Sequence, residues 1–315
     1  SFSAYSSKLC VQRLNCFLWL DNYYICNRWA KTIEDHTFML MNKNLLIDQV
    51  NNWLREDIGN FDLTSQILIG PGTKSVFHLI AREPTVISGL EVVSLIFDQI
   101  DNDLKFETFY SDMDEVTSGA KIASISGQAS SILTAERVAL NIFQRMCGIA
   151  TLAAAYVQEI SSTSATLVDT RKTTPGLRSL EKYAFYCGGG KNHRFGLDSG
   201  VMLKDNHIAL VGDLSKAVKL VKSRMPILLK VEVECETLVH VKKALDAGAD
   251  LIMLDNMSLE EMRDAVLLVN GRIPLECSGG VTLRNIKEKA ETGVNFISVG
   301  AITQSANCID IGLDF

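Results

Sequence analysis

The chain lacks three things, and each absence removes a class of function. It has no basic excess: Lys and Arg number 31 against 37 Asp and Glu, for a net charge of −6. A nucleic-acid binder usually carries a basic domain. No aromatic–basic stripe runs through this chain either, so a protein built around a polyanion is a poor fit. It has no C-x-x-C pair among its eight cysteines, Cys10, Cys16, Cys26, Cys147, Cys187, Cys235, Cys277 and Cys308. That usage reads as a reduced, cytoplasmic chain rather than a disulfide scaffold. It has no apolar run approaching the ~20 residues of a membrane span. The run at 17–20 is too short for a secretory signal core.

What is present is an ordinary globular composition, 47% apolar and 22% charged over 315 residues. The length suits one large domain or two modest ones. Residues 1–40 stand apart, rich in Cys, Trp, Tyr and Asn and poor in periodicity. They read as an upstream extension, non-native or poorly structured, or else as a packed N-terminal helix.

Met41 opens a cleaner pattern. Leu45, Leu46, Val50, Trp53 and Leu54 predict a helix over 44–56. "EDIGNFDLTS" (56–65) is a loop in which Asp62 or Thr64 suits a turn or cap. Residues 74–90 alternate like strands, with Val76, His78 and Ile80 opposed to Phe77, Leu79 and Ala81. Residues 91–100 look helical, and "LKFETFYSD" and "KIASISGQ" are further strands. So 41–145 reads as an α+β sandwich domain. Residues 134–160 form a helix, with a break expected at Gly148.

After Thr163 short apolar runs recur, each closing on polar or glycine residues: "ATLVDTRK", "SGVMLKDNH", "ILLKVEVE", "LIMLDN", "IPLECSGG" and "VNFISVGA". Helical patterns at 212–223, 236–247, 258–270 and 282–292 separate most of them. Such alternation marks a parallel α/β sheet. Six units fit a barrel or an open doubly wound sheet. The barrel is favoured because nearly every strand ends in a charged or phosphate-friendly residue, and barrels build sites from that rim. The expectation is an incomplete α/β barrel of six or seven strands over 146–302. Ile309, Ile311 and Leu313 alternate in the tail, which returns over 303–315 to the N-terminal sheet.

The rim positions are Arg171 and Lys172, Lys204 and Asp205, Glu234, Asp255, Ser278-Gly279-Gly280, and Gly300-Ala301. Glycines before a helix from Thr282, and again at 300, offer backbone amides to a phosphate. Lys230, Glu232 and Glu234 share one strand face, directed into the barrel. Glu234 and Asp255 can meet at the mouth, where two carboxylates suit Mg²⁺ carried by phosphates, or ribose hydroxyls; a buried ion-pair network with Lys230 is the plain alternative. The stretch 169–207 holds seven Lys or Arg against four acids, with His193 and His207 beside them. Arg171, Lys172, His193, Arg194 and Lys204 exceed the need of one phosphate and point to several anionic groups. Arg178, Lys182 and Lys191 read as surface or structural charges, and His36, His78 and His240 as structural.

With these residues in view the chain resembles a known family. "DTRKTTPGLRSLEKYAFYCGGGKNHRFGL", "KDNHI", "TAERVALNIFQRMCGIAT", "LDN", "ECSGG" and "SVGAIT" are similar to the motifs of quinolinate phosphoribosyltransferase, in order across 41–315. The resemblance implies a sandwich domain followed by an incomplete barrel. It also implies a glycosyltransferase of NAD synthesis, Mg²⁺ as cofactor, and a homodimer with shared sites. Its substrates would be quinolinate and phosphoribosyl pyrophosphate, with neither nucleic acid nor membrane as partner. By motif, Arg171, His193, Arg194 and Lys204 would hold the carboxylates of quinolinate, and Arg137 would reach into the partner's site. Thr170 would join the substrate-binding set. Lys172, Glu234 and Asp255 would act catalytically on phosphoribosyl pyrophosphate and its Mg²⁺. Ser278, Gly279, Gly280, Gly300 and Ala301 would seat the 5′-phosphate. Gln304 departs from the family pattern, which has a basic residue there; backbone donors keep the expected effect small. Three rivals stand beside this reading: a barrel lyase with Lys204 or Lys230 as a Schiff-base nucleophile, a binding relative without the chemistry, and a nucleic-acid binder.

Overall fold

The computed structural model describes residues 42–315. The segment 1–40, with both readings of it, and His36, Cys10, Cys16 and Cys26 lie outside the described residues. The first helix, α1 (Lys43–Ile58), begins where Asn42 Oδ1 accepts the Asn44 amide at 3.1 Å. Asp62 caps the short α2 (Leu63–Leu68) by accepting the Ser65 amide at 3.0 Å.

The strand pattern at 74–90 resolves into β1 (Lys74–Ala81) and a two-residue β2 (Thr85–Val86). They lead into α3 (Leu90–Ile100), β3 (Lys105–Thr108), β4 (Glu115–Val116) and β5 (Lys121–Gln128). In β1, Phe77, Leu79 and Ala81 are the buried set, which is the period-two face the alternation marks. The sheet is antiparallel in the order β12-β1-β5-β3, where β12 is Ile311–Asp314, the last strand of the chain. Leu79 pairs with Leu313 and Phe77 with Ile125. Phe106 of β3 stacks on Phe97 of α3, with ring centroids 6.2 Å apart. So residues more than two hundred positions apart complete one sheet.

Helix α4 (Ala129–Glu159) runs from this sheet to the second half of the fold. Its 31 residues make it about 46 Å long. Among the described residues it is long and apolar enough to cross a membrane, yet 56% of its most apolar window is buried, as in a core helix. The break expected at Gly148 does not occur. Gly148 is instead the point where the returning tail crosses the helix: a Cβ there would collide with the Asn307 carbonyl oxygen and lie 3.3 Å from Cys308 Cα. A glycine that permits close backbone approach looks, in sequence, like one that ends a helix.

Six parallel strands follow, β6 (Thr166–Val168), β7 (Val201–Leu203), β8 (Val231–Cys235), β9 (Leu251–Asp255), β10 (Leu275–Ser278) and β11 (Phe296–Ser298). Their order is β6-β11-β10-β9-β8-β7. That is a cyclic sequence with one missing join, between β6 and β7, so the fold is an incomplete barrel and not a doubly wound sheet. The helices between strands are α5 (Arg178–Cys187), α6 (Asp205–Val211), α7 (Leu214–Lys222), α8 (Leu238–Asp246), α9 (Leu259–Val269), α10 (Ile286–Ala290) and α11 (Ala301–Ser305). Ser258 and Glu261 form a capping box on α9, and Asp213 caps α7. The helix expected from Thr282 starts only at Ile286, because Asn285 Oδ1 takes the Thr282 amide at 2.8 Å and folds 279–285 into a turn.

The missing join is filled by residues 169–200, including α5. Lys191 makes a single parallel bridge to Val168 and exchanges backbone hydrogen bonds with Leu167 and Asp169. Replacing Gly148 by Ala is expected to cost about 1–3 kcal/mol by forcing the tail off α4. A lowered thermal midpoint with secondary structure retained by circular dichroism would be the observed outcome.

Candidate active site

Because strand side chains alternate, Glu232 and Glu234, Met253 and Asp255, Glu276 and Ser278, and Ser298 and Gly300 point to the same side of their strands. All but Glu232 of these line a cavity of about 740 Å³ at the C-terminal rim of the barrel. Every candidate residue except Arg137 and the rim position Asp205 lines it too: Thr170, Arg171, Lys172, His193, Arg194, Lys204, Glu234, Asp255, Ser278, Gly279, Gly280, Gly300 and Ala301. Gln304 is also there. Arg137 lies elsewhere, on α4, 58% exposed and 3.9 Å from Glu136. Lys230 stands one residue before β8 and is exposed, so it is not a buried amine, and the acids of that strand pair elsewhere, Glu232 with His193 and Glu234 with Lys204.

The wall at the barrel's gap is held by a buried ion pair. Asp169 and Lys182, both without solvent exposure, meet at 2.5 Å. Asp169 Oδ1 also accepts the His193 amide at 2.7 Å, and Oδ2 accepts Asn192 Nδ2 at 2.7 Å. Lys182 further donates to the His193 carbonyl and lies 5.0 Å from the centre of the Phe195 ring. Burial pushes the Asp169 carboxyl up and the Lys182 ammonium down, each against the pull of its partner. Lys182 is therefore structural, as its sequence reading had it, but inside the protein.

This pair sets two adjoining chain segments in place. The first carries Thr170, Arg171 and Lys172. The Lys172 amide donates to Thr170 Oγ1 at 3.0 Å. Nε of Arg171 is buried and has no hydrogen-bond partner among the described residues. The second carries His193 and Arg194. Arg194 donates to the Gly200 carbonyl at 2.9 Å, and burial with the nearby Arg171 charge lowers its pKa. Two guanidinium groups that repel one another across a cavity are a receptor for an anion.

Below them His193 Nε2 lies 3.0 Å from Glu232 Oε2 and 3.5 Å from Glu276 Oε2. Burial favours the neutral ring, but the two carboxylates outweigh it and push His193 up to about 10. Burial also pushes Glu232 up. The Arg194 amide donates to Nδ1 at 2.8 Å, which leaves Nε2 as the proton-bearing nitrogen facing Glu232. Any further proton is then shared between His193 and Glu232, which titrate as a pair. Together with Glu276 their ligand atoms lie within 4.8 Å of one another, a spacing a cation could use, but the proton on Nε2 suits an internal hydrogen-bonded group better. The roles of Glu232, Glu276 and Asp169 escaped sequence reasoning. The signal for Glu276 was present in "PLECSGG", two positions before Ser278 and so on the same face.

At the mouth Lys204 Nζ meets Glu234 Oε2 at 2.7 Å with about half of its side chain exposed, so it is engaged by a carboxylate and not a free, desolvated amine of the kind a Schiff base uses. Asp255 is pushed up by burial and by the neighbouring Glu234 charge. On the far side Gly279 and Gly280 adopt positive φ, 91° and 59°. A Cβ on Gly279 would stand 2.6 Å from Asn256 Cγ, and one on Gly300 2.6 Å from Lys172 Cδ. Those glycines are where the backbone must come close to the cavity.

Lys182→Met is expected to destabilise the fold by about 3–5 kcal/mol, since it strands a buried carboxylate, whereas adding Asp169→Asn should recover part of the loss. Urea unfolding of the single and double variants measures both; additive losses would contradict the pairing.

Two family profiles cover the chain. "Quinolinate phosphoribosyl transferase, N-terminal domain" matches residues 62–147 and the corresponding C-terminal domain matches 149–314. A probable nicotinate-nucleotide pyrophosphorylase [carboxylating] of Synechocystis sp. is 42% identical over 273 residues, 85% of this chain and 92% of that one. Quinolinate phosphoribosyltransferase [decarboxylating] 1 of Nicotiana glauca is 41% identical over 279 residues, 82% of this chain and 79% of that one. The crystal structure of NadC from Streptococcus pyogenes superposes with a TM-score of 0.85 at 39% identity, covering 87% of this chain and 97% of that one.

Proposed function

The chain belongs to the quinolinate phosphoribosyltransferase family, and from that premise we propose that it transfers the phosphoribosyl group of phosphoribosyl pyrophosphate to quinolinate with decarboxylation. The products are nicotinate mononucleotide, pyrophosphate and CO₂, a step of NAD synthesis. One observation carries the reading. The cavity joins the unpartnered Arg171 and its neighbour Arg194 to glycine backbone and to the Glu234–Asp255 pair, so two different polyanions can meet in it.

In this proposal Arg171 and Arg194 hold the two carboxylates of quinolinate, and His193, whose ring nitrogens are taken by Glu232 and the Arg194 amide, acts by fixing Arg194 in place. Lys204 contributes charge that it shares with Glu234. The pyridine nitrogen attacks the anomeric carbon as its bond to pyrophosphate breaks. Lys172 supports charge on the leaving group, and Glu234 or Asp255 faces the cation-like ribose. The bond from C2 to its carboxylate then breaks, the electron pair stays at C2 beside the new pyridinium, and a proton replaces the lost CO₂. Holding two anions in line makes positioning a large part of the rate. Thr170, Ser278, Gly279, Gly280, Gly300 and Ala301 would seat the phosphate groups.

Glu234 and Asp255 fit a hard divalent cation. They supply oxygen ligands, and the Asp255 carboxyl, raised first by burial and then by the Glu234 charge, is one that a cation would stabilise as carboxylate. Mg²⁺ carried on pyrophosphate would neutralise charge on that leaving group. Buried free thiols at Cys147, Cys187, Cys235 and Cys277 fit a reducing compartment such as the cytoplasm. Exposed Arg137 fits a homodimer in which it completes the partner's cavity.

Given phosphoribosyl pyrophosphate and Mg²⁺, the protein should release mononucleotide and CO₂ in equal amounts from quinolinate and form nothing from nicotinate. Product from nicotinate would mean that the 2-carboxylate pocket is misread. Arg171→Ala should raise the quinolinate KM by about 10- to 100-fold, the loss of a charge-assisted pair, with the fold unchanged. At a quinolinate concentration too low for either variant alone to turn over, Arg137→Ala and Arg171→Ala proteins should regain activity when mixed and allowed to exchange subunits; confirmed exchange without rescue would sink the shared site.

A further inference from the structure

Arg145 lines no part of the cavity, yet it is tied to both segments that do, to one through Glu181 and to the other through Thr303 and Ala306. It lies on α4, its side chain 17% exposed. Its Nε and Nη2 donate to Glu181 Oε1 at 3.1 and 2.9 Å. Its Nη1 donates to the Ala306 carbonyl at 2.7 Å, and Nη2 also to the Thr303 carbonyl. Glu181, 1% exposed, uses Oε2 to accept the Thr174 amide at 3.0 Å. Thr303 in turn donates Oγ1 to the Lys172 carbonyl at 2.8 Å.

These bonds make a closed circuit: Arg145 to Glu181, Glu181 to Thr174, back along the chain to Lys172, across to Thr303, and home to Arg145. One limb is the loop after β6 with Thr170, Arg171 and Lys172. The other is the turn of Gly300, Ala301 and α11. The planar fork of an arginine is needed, because three acceptors on two segments must be met in one plane; a lysine offers a point charge to one of them. No surface ion pair would hold two loops this way, since exposed pairs contribute little. Here the carboxylate is buried and each bond fixes backbone.

We propose that Arg145 is a positioning residue that sets the spacing between the Lys172 loop and the Gly300–Ala301 turn, so that the pyrophosphate and the 5′-phosphate of one phosphoribosyl pyrophosphate molecule are gripped together. The inference rests on the function proposed above. Each half-site stands on its own strand end and survives without Arg145. Only a ligand that spans both reads the distance between them, and a displacement of about 1 Å can cost on the order of 100-fold in rate.

The test uses Arg145→Met and Arg145→Lys in the full chain, with thermal midpoint and circular dichroism as fold controls. Three ligands are titrated: phosphoribosyl pyrophosphate, inorganic pyrophosphate and ribose 5-phosphate. In Arg145→Met the KM for phosphoribosyl pyrophosphate should rise at least tenfold and kcat should fall, while the quinolinate KM stays within twofold. Pyrophosphate and ribose 5-phosphate, which each read one half-site, should bind within threefold of the wild type. Arg145→Lys should restore part of the loss. Uniform weakening of all three ligands and quinolinate would overturn the proposal in favour of general destabilisation, and unchanged kinetics would overturn it outright. If Arg145→Met does not fold, Glu181→Gln breaks the link to Thr174 and carries the same expectation. A wild type that neither binds nor turns over phosphoribosyl pyrophosphate would refute the function itself, a result separable from any variant.

Discussion

The buried pair of Asp169 and Lys182 is the constraint on which the site depends. A parallel barrel with a missing join exposes backbone and polar groups on the strand at the gap. Here the gap is closed by a connection, not by strands, and a connection has no ladder to hold it. Asp169 replaces that ladder by gathering an ammonium, a backbone amide and a side-chain amide around one carboxylate. Its neighbours in chain are Thr170 and Arg171, and the amide it accepts belongs to His193. The groups that face the anion are therefore positioned from behind by a charge pair that never meets solvent. Such a pair adds little net stability, because both ions lose hydration, but it penalises every arrangement that separates them.

Above this anchor, the cavity balances charges of both signs. Arg171 and Arg194 stand close enough for repulsion to lower the second. Two acids, Glu232 and Glu276, compensate them from below through His193, and Glu234 compensates Lys204 at the mouth. Without the acids the empty cavity would carry several unpaired cations in a partly dry space. Without an unpartnered guanidinium it would have no reason to take up an anion. Among the described residues Nε of Arg171 is a buried donor with its bond unspent, which is what a receptor for an anion needs.

The two halves of the fold are tied by chain, not only by contact. Helix α4 leaves the antiparallel sheet and carries Arg145 to the barrel loops, and β12 returns from the barrel to pair with β1. Gly148 lets that returning tail cross α4 at close range. The N-terminal sheet is thus a brace for the barrel's rim, reaching it through one helix and one strand.

Much of this was legible from residue order alone, for physical reasons. Period-two alternation marked β1, and six apolar runs ending in polar residues marked the six parallel strands, since burial on both faces leaves little else. The rim residues followed, because a strand's last residue must sit at the barrel's end wherever the barrel closes. Other features had no local signature. Gly148 looked like a helix break, and only the tail that crosses it explains the glycine. Lys230 looked like a partner for the acids of β8, but it is exposed, and those acids pair with His193 and Lys204. Thr282 looked like a helix start until Asn285 bent the segment into a turn. Lys182 read as a surface or structural charge, Glu181 carried no signal of its own that set it apart, and Glu276 had only its place two positions before Ser278. Whether a charge meets water or another charge depends on which strand is missing from the barrel and what fills its place. Order in the chain determined which residues reach the rim; closure of the gap decided which of them are buried, paired or left free to bind.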